Sequence, residues 1–344
     1  MRIRTLATTV GAALLGMAAP ALAESDLPAL AESDLSPLEA TFDATLGTQV
    51  RPLPTYQAIY ETGFERRIAE LADGSSGRIG VAAIDLTTGQ EIAVLGDQRF
   101  PLASTSKIAI AATFLEGVEQ GRWSLRSEFP LLWARKSARF SSPVAPVAEG
   151  ERMRASELIE IMITRSSNPA TDALLRAVGG PNAVNSWMRR NGMSEFNIDR
   201  DIATLVRDDG EFDPAHHIDR RDSATPGEML ELLTGLYQGK FLSSESRRVI
   251  LGAMSRTRTG TRRIPAMMPA SVRVSHKTGS LNNTSSDVGF LEMPDGRTVA
   301  LAIYVTGQGS RPAREAKIAA IARAIHDGYD ARAQVWTNAR YGGQ

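Results

Sequence analysis

Apolar positions recur along this chain at two spacings, one helical and one strand-like. Between Tyr56 and Leu71, the residues Ile59, Phe64, Ile68 and Leu71 fall near helical spacing, and Asp73-Gly74 stops the run. Arg78 to Leu86 instead mixes small and β-branched residues as a strand does. Thr87-Thr88-Gly89-Gln90 reads as a hairpin turn, with Glu91 to Leu95 returning beside it. A long helical middle follows: Ser104 to Glu119, Ser156 to Arg165, Pro169 to Val178, Pro181 to Arg190, Pro226 to Tyr237 and Ser244 to Met254. Several of these helices open on Ser or Pro and close at Gly179, Gly192 or Gly239, residues suited to helix ends. Strands return at Val272 to His276, Ser286 to Glu292 and Thr298 to Val305, the last two joined by the turn Pro294-Asp295-Gly296, and Pro312 to Tyr329 reads as a closing helix.

This order predicts an α+β, two-lobed domain over residues 56–333. Segments 56–100 and 258–333 share one antiparallel sheet flanked by helices, and residues 101–257 form an inserted all-α lobe. A cleft between the lobes is the expected site. Ahead of the domain, Arg2 and Arg4 precede an uncharged apolar stretch, Thr5 to Ala19, and then Pro20-Ala21-Leu22-Ala23. Residues 1–23 therefore read as a signal peptide cleaved near Ala23, which predicts a periplasmic or secreted protein. The stretch is too short for a comfortable membrane span. The segment Pro20 to Leu27 is repeated as Pro28 to Leu35, offering a second cleavage point after Ala31. Residues 24–55 are acidic and dotted with prolines, as a mobile linker would be, and 334–344 read as a tail.

Lys plus Arg equals Asp plus Glu at 39 each, so no overall field points to nucleic acid or a membrane surface. A small-molecule substrate and a monomer are the expected partners and state. The absence of cysteine excludes thiolate chemistry, disulfides and cysteine-bound metal, and with 4 histidines neither a metal site nor a cofactor is expected. His216 and His217 are adjacent, so on a strand they would point to opposite faces. Trp123, Trp133 and Trp187 read as packing residues.

The chemistry concentrates in Ser104-Thr105-Ser106-Lys107 at the start of a predicted helix. One turn separates Ser104 from Lys107, placing both on one face. A serine hydroxyl needs a base to take its proton, and a desolvated lysine can be that base. Alone the pair is a common coincidence. It is joined, in order, by Ser166-Ser167-Asn168 and by Lys277-Thr278-Gly279 with Ser280. These three motifs resemble those of the penicillin-recognising serine hydrolases, and their spacing and flanks are similar to class A β-lactamases over roughly Gly77 to Gly307. Arg99 to Leu102, Leu158 to Pro181 and Arg221 to Pro226 carry the flanking likeness.

The resemblance implies that Ser104 attacks and carries an acyl group, Lys107 accepts its proton, and Ser166 relays a proton to the leaving nitrogen. It implies that Asn168, Lys277 and Thr278 bind substrate, with the N–H groups of Ser104 and Ser280 as the oxyanion hole. Arg263, fourteen residues before Lys277, is either a carboxylate-binding arginine or one surface charge in the basic run Arg256 to Arg263. Two departures stand out. Ser167 replaces the family's aspartate. In the loop before Arg221-Asp222, Arg200 aligns with the family's arginine, but Ile202 and Val206 stand where it places the glutamate and asparagine that hold the deacylating water. Asp201 and Glu211 are either candidate substitute bases or solvated loop charges, Arg200 and Asp222 the pair that would tie the loop's ends, and His276, adjoining Lys277, a candidate contact of the site. The expected function is an exported serine hydrolase that forms an acyl-enzyme with β-lactams at Ser104, a β-lactamase-type enzyme hydrolysing cyclic amides, with the acyl group released either slowly or by another base. The alternatives are a D-alanyl-D-alanine peptidase or esterase, or a penicillin-binding protein without turnover.

Overall fold

A computed structural model describes residues 48–49, 62–74 and 76–341. The expected signal peptide and its cleavage points lie outside the described residues. Helix α1 (Gly63–Leu71) starts where Thr62 accepts from the Glu65 N–H and the Glu65 carboxylate accepts from the Thr62 N–H, a reciprocal cap. The expected start at Tyr56 falls outside the described residues. Strands β1 (Ile79–Asp85) and β2 (Glu91–Val94) follow as a hairpin.

The helical lobe begins with α2 (Lys107–Glu119), whose buried positions run from Lys107 to Leu115 without a gap, as a helix enclosed on every side must. Around it pack α3 (Ala155–Thr164), α4 (Asn168–Val178), α5 (Pro181–Arg190), the short α6 (Ile202–Arg207), α7 (Pro226–Gln238) and α8 (Ser244–Ser255). This lobe also carries a two-stranded antiparallel ribbon that the helical pattern did not predict, β3 (Glu128–Ala134) with β4 (Val147–Arg154). The ribbon corrects one expectation, because Trp133 lies on it 53% exposed. Trp187 is fully buried, and Trp123 stacks on Phe114 while its indole N–H donates to the Phe114 carbonyl.

The chain returns as β5 (Arg273–Leu281), β6 (Thr284–Glu292) and β7 (Thr298–Thr306), and closes with α9 (Arg311–Tyr341), which runs past the expected end at Tyr329. The five-stranded sheet has the order β2-β1-β7-β6-β5, every pair antiparallel, so first and last segments share it as predicted. Thr48–Gln49 adds a short antiparallel pair with Ile218–Asp219.

Every residue of β7 is buried because both sheet faces are covered. Alternation sorts its side chains. Ala300, Ala302 and Tyr304 join the core shared with the helical lobe, while Val299, Leu301, Ile303 and Val305 join the core under α1 and α9. The sheet edge that matters for chemistry is β5, which among the described residues pairs only with β6.

Gly80 lies opposite Tyr304, and a Cβ there would sit 2.3 Å from Phe100 Cε2 and 2.8 Å from Pro226 Cγ. Phe100 fills that slot, stacking on Tyr304 with ring centres 5.9 Å apart, and so fixes the chain's approach to Ala103 and Ser104. Gly80→Ala is expected to destabilise the protein by about 1–3 kcal/mol through overpacking. A urea midpoint unchanged from the parent protein would contradict this role for the slot.

Candidate active site

Ser104 sits on a tight 3₁₀ turn, Ala103–Ser106, and α2 proper begins one residue later at Lys107. The tighter winding eclipses positions three apart, so Ser104 and Lys107 share a face more closely than an α-helix would place them. Ala103 adopts φ +48°, an unfavourable conformation for a residue with a Cβ. The turn is braced by Thr105 Oγ1 donating to the Leu102 carbonyl at 2.6 Å and Ser106 Oγ donating to the Ala103 carbonyl at 2.8 Å. Ser104 itself stays partly accessible, while Lys107 has no solvent exposure.

Lys107 Nζ reaches the Ser166 carbonyl at 2.8 Å, Ser166 Oγ at 3.1 Å and Asn168 Oδ1 at 2.7 Å. Ser166, at φ +57°, turns its carbonyl and hydroxyl toward that amine. Ser167 caps α4 by accepting from the Ala170 N–H, with Pro169 in the first turn, which sets Asn168 at the helix start. From the other lobe, Lys277 Nζ reaches the same Ser166 Oγ at 3.0 Å and the Thr278 carbonyl at 2.8 Å. The three predicted motifs therefore converge on one hydroxyl. Burial drives the Lys107 amine down to about 7, against the pull of Asp172. Lys277 is likewise held well below the ordinary lysine range, by burial first and then by Lys107, with Asp287 opposing.

Gly279 explains how β5 comes this close. A Cβ there would meet Ser286 Oγ at 2.4 Å, the Leu102 carbonyl at 3.0 Å and Ala103 Cβ at 3.1 Å. Thr278 Oγ1 lies 2.7 Å from Thr259 Oγ1, and Ser280 is exposed at the strand edge.

Arg263 is not a surface charge: it is 1% exposed. Its Nη1 donates to the Gly279 and Ser286 carbonyls at 2.8 and 2.7 Å, its Nη2 to Ser280 Oγ at 2.7 Å, and Glu315 pairs with it at 3.1 Å. It braces the strand that carries Thr278 and Ser280. His276 also lies elsewhere than expected. Strand alternation turns it away from Lys277, and its Nδ1 pairs with the buried Asp287 carboxylate at 2.8 Å.

The loop candidates are spent on structure. Asp201 caps α6, accepting from the Thr204 N–H at 2.7 Å, and Glu211 pairs with Arg221 at 2.7 Å. Ile202 is buried, and Val206 is 52% exposed. Arg200 and Asp222 do tie the loop: Nε to Oδ2 at 2.6 Å, with Asp222 Oδ1 accepting from the Asp199 and Arg200 N–H groups. His217 stacks on Phe212 with ring centres 4.1 Å apart, in a turn rather than a strand. The loop's far end docks on the β5–β6 turn through Asp209 Oδ2, which accepts from the Asn282 N–H at 2.8 Å, and Asp213, which accepts from Asn283 Nδ2 at 2.8 Å. A cavity of about 60 Å³ beneath it is lined by residues such as Arg200, Phe212, His217 and Leu281, and by none of Ser104, Lys107 or Ser166.

Sequence reading missed Asp172, which is 3% exposed and accepts from the Ile202 and Ala203 N–H groups at 2.7 and 3.0 Å. Its one signal was its place one turn after Asn168 on the same helix face.

Comparison with known proteins places the chain in a family. Residues 63–329 match the Beta-lactamase enzyme family. Beta-lactamase SME-1 of Serratia marcescens is 29% identical over 244 residues, 70% of this chain and 80% of that protein. The imipenem-hydrolyzing beta-lactamase of Enterobacter cloacae is 28% identical over 264 residues, 75% of this chain and 86% of that protein. Among solved structures, the class A beta-lactamase of the last common ancestor of Gram-negative bacteria superposes with a TM-score of 0.67 at 33% identity, covering 78% of this chain and 100% of that one.

Asp222→Ala removes one partner of a buried pair and is expected to cost about 3–5 kcal/mol. Limited proteolysis should then cut first between 200 and 221. A parent-like denaturation midpoint would show that the loop is held by other contacts.

Proposed function

The chain belongs to the beta-lactamase enzyme family, and on that premise we propose that it is an exported hydrolase that forms an acyl-enzyme with β-lactams at Ser104 and releases it slowly. One observation carries the reading: Lys107, one helical turn from Ser104, meets Lys277 on Ser166 Oγ, at 3.1 and 3.0 Å. Export is supported by the basic, apolar and small-residue order of residues 1–23.

The chemistry follows from those positions. Neutral Lys107 takes the Ser104 hydroxyl proton as Oγ bonds to the lactam carbonyl carbon. The N–H groups of Ser104 and Ser280 are assigned to the developing oxyanion. Ser166 passes a proton to the ring nitrogen as the carbon–nitrogen bond breaks, and Lys107 returns one to Ser166. Lys277, Thr278 and Asn168 are the groups assigned to the substrate's carboxylate and amide, with Arg263 holding β5 in place behind them. Release requires water to attack the ester. The buried Ile202 offers no base there, and Asp201 and Glu211 are engaged elsewhere.

Slow release also favours a second reading, a D-alanyl-D-alanine peptidase or esterase on the same site. Intact-mass spectrometry after exposure to benzylpenicillin is expected to show a gain of one penicillin mass in the parent protein and none in Ser104→Ala. Nitrocefin turnover should be slow and limited by release. Hydrolysis of a peptide ending in D-alanyl-D-alanine, with no nitrocefin turnover, would instead establish the second reading. No adduct and no hydrolysis of either substrate would refute both. Because the base must be uncharged, the acylation rate is expected to rise as pH passes upward through about 7, the pKa to which burial brings Lys107. A rate flat from pH 5 to 9 would remove Lys107 from that role.

A further inference from the structure

Ile202 and Val206 bring no carboxylate from the loop positions where the family places its water-holding groups, but the helical lobe supplies a buried one. Helix α4 presents Asn168, whose Oδ1 accepts from Lys107 Nζ at 2.7 Å, and one turn later Asp172. Asp172 has both carboxylate oxygens on the loop, accepting from the N–H of Ile202 at 2.7 Å and of Ala203 at 3.0 Å. Ile202 is the residue that stands in the glutamate's place, so the same short stretch that lost its carboxylate is fastened to another one. Asp172 is 3% exposed and Lys107 not at all, and the Asn168 that bonds Lys107 lies one turn before Asp172 on the same helix.

We propose that Asp172 is a positioning residue for Lys107: seated one helical turn after Asn168 and held by the Ile202 and Ala203 N–H groups, its charge opposes formation of the neutral amine that takes the Ser104 proton. The inference rests on the reading of Ser104 as nucleophile. An ionised Asp172 favours the protonated lysine, and a neutral one frees the base. Burial pushes Asp172 up to about 7, the loop N–H groups oppose that rise, and Asp201 adds to it. The other charged groups facing the pair are Lys277 from β5, which repels a charge on Lys107, and Asp201 at the α6 cap, which repels one on Asp172. Asp172 makes no hydrogen bond to Lys107, so it acts through its field and through the loop it seats.

Asp172→Asn removes the charge and keeps an amide oxygen for one loop N–H. The ascending limb of the acylation rate against pH, followed by adduct mass with benzylpenicillin, is expected to move to lower pH by about one unit. A limb that superimposes on the parent's, with only the melting temperature changed, would leave Asp172 a loop anchor and overturn the proposal. Should that variant not fold, ¹³C-lysine NMR of the unaltered protein decides, with Lys107 assigned by its loss in Lys107→Met. The Lys107 ε-carbon is expected to titrate in two steps belonging to the pair. A single step in the ordinary lysine range would overturn the inference. The NMR reads the resting site without substrate, so failure of the parent to acylate counts against the proposed function and leaves this measurement decisive.

Discussion

Two buried amines brought to one half-buried hydroxyl are the constraint on which the rest of the molecule depends. Lys107 and Lys277 come from different lobes, and both lie within hydrogen-bond reach of Ser166 Oγ. In water two such cations would repel weakly, but without exposure the repulsion and the lost hydration both rise steeply. The relief is to surrender a proton. A site built this way makes a neutral Lys107 amine available near neutral pH, chiefly because burial strips the charged form of its hydration.

That arrangement is held against considerable local strain. Ala103, Ser166 and Asp222 all take positive φ without being glycine, and they stand at the nucleophile turn, at the shared hydroxyl and at the loop's closing end. Each is pinned by neighbours: Ser106 Oγ on the Ala103 carbonyl, Lys107 on the Ser166 carbonyl, and the Leu102 N–H on the Asp222 carbonyl. The last bond joins the loop directly to the turn that carries Ser104. Gly279 supplies the remaining clearance, since any side chain there would push β5 off Leu102 and Ala103.

The balance of charges has a related meaning. Many acidic side chains of the 201–222 loop are consumed locally, by Arg207, Arg221, Arg200 or a helix cap. Such carboxylates hold the loop's shape and are unavailable to water in the cleft. The buried carboxyl beside the base comes instead from helix α4, where it has the loop backbone as its partner.

Much of this was legible in the chain itself. Helical spacing, Pro and Gly at helix ends, and the Pro294-Asp295-Gly296 turn located most elements within a few residues, because those signals act between near neighbours. The three motifs named the residues that meet, and α5 (Pro181–Arg190) was read to the residue. What the tertiary structure alone decided was non-local. Strand alternation and sheet order turned His276 away from Lys277 toward Asp287, and buried Arg263 behind the strand it braces. The β3–β4 ribbon, which leaves Trp133 exposed, is joined by the long stretch 135–146 rather than by a tight hairpin turn that would announce it. Asp172 became part of the site only because the loop folds back over α4. Local propensity can shape a helix, but which charge ends up facing which depends on the packing of distant segments, and no spacing along the chain records that.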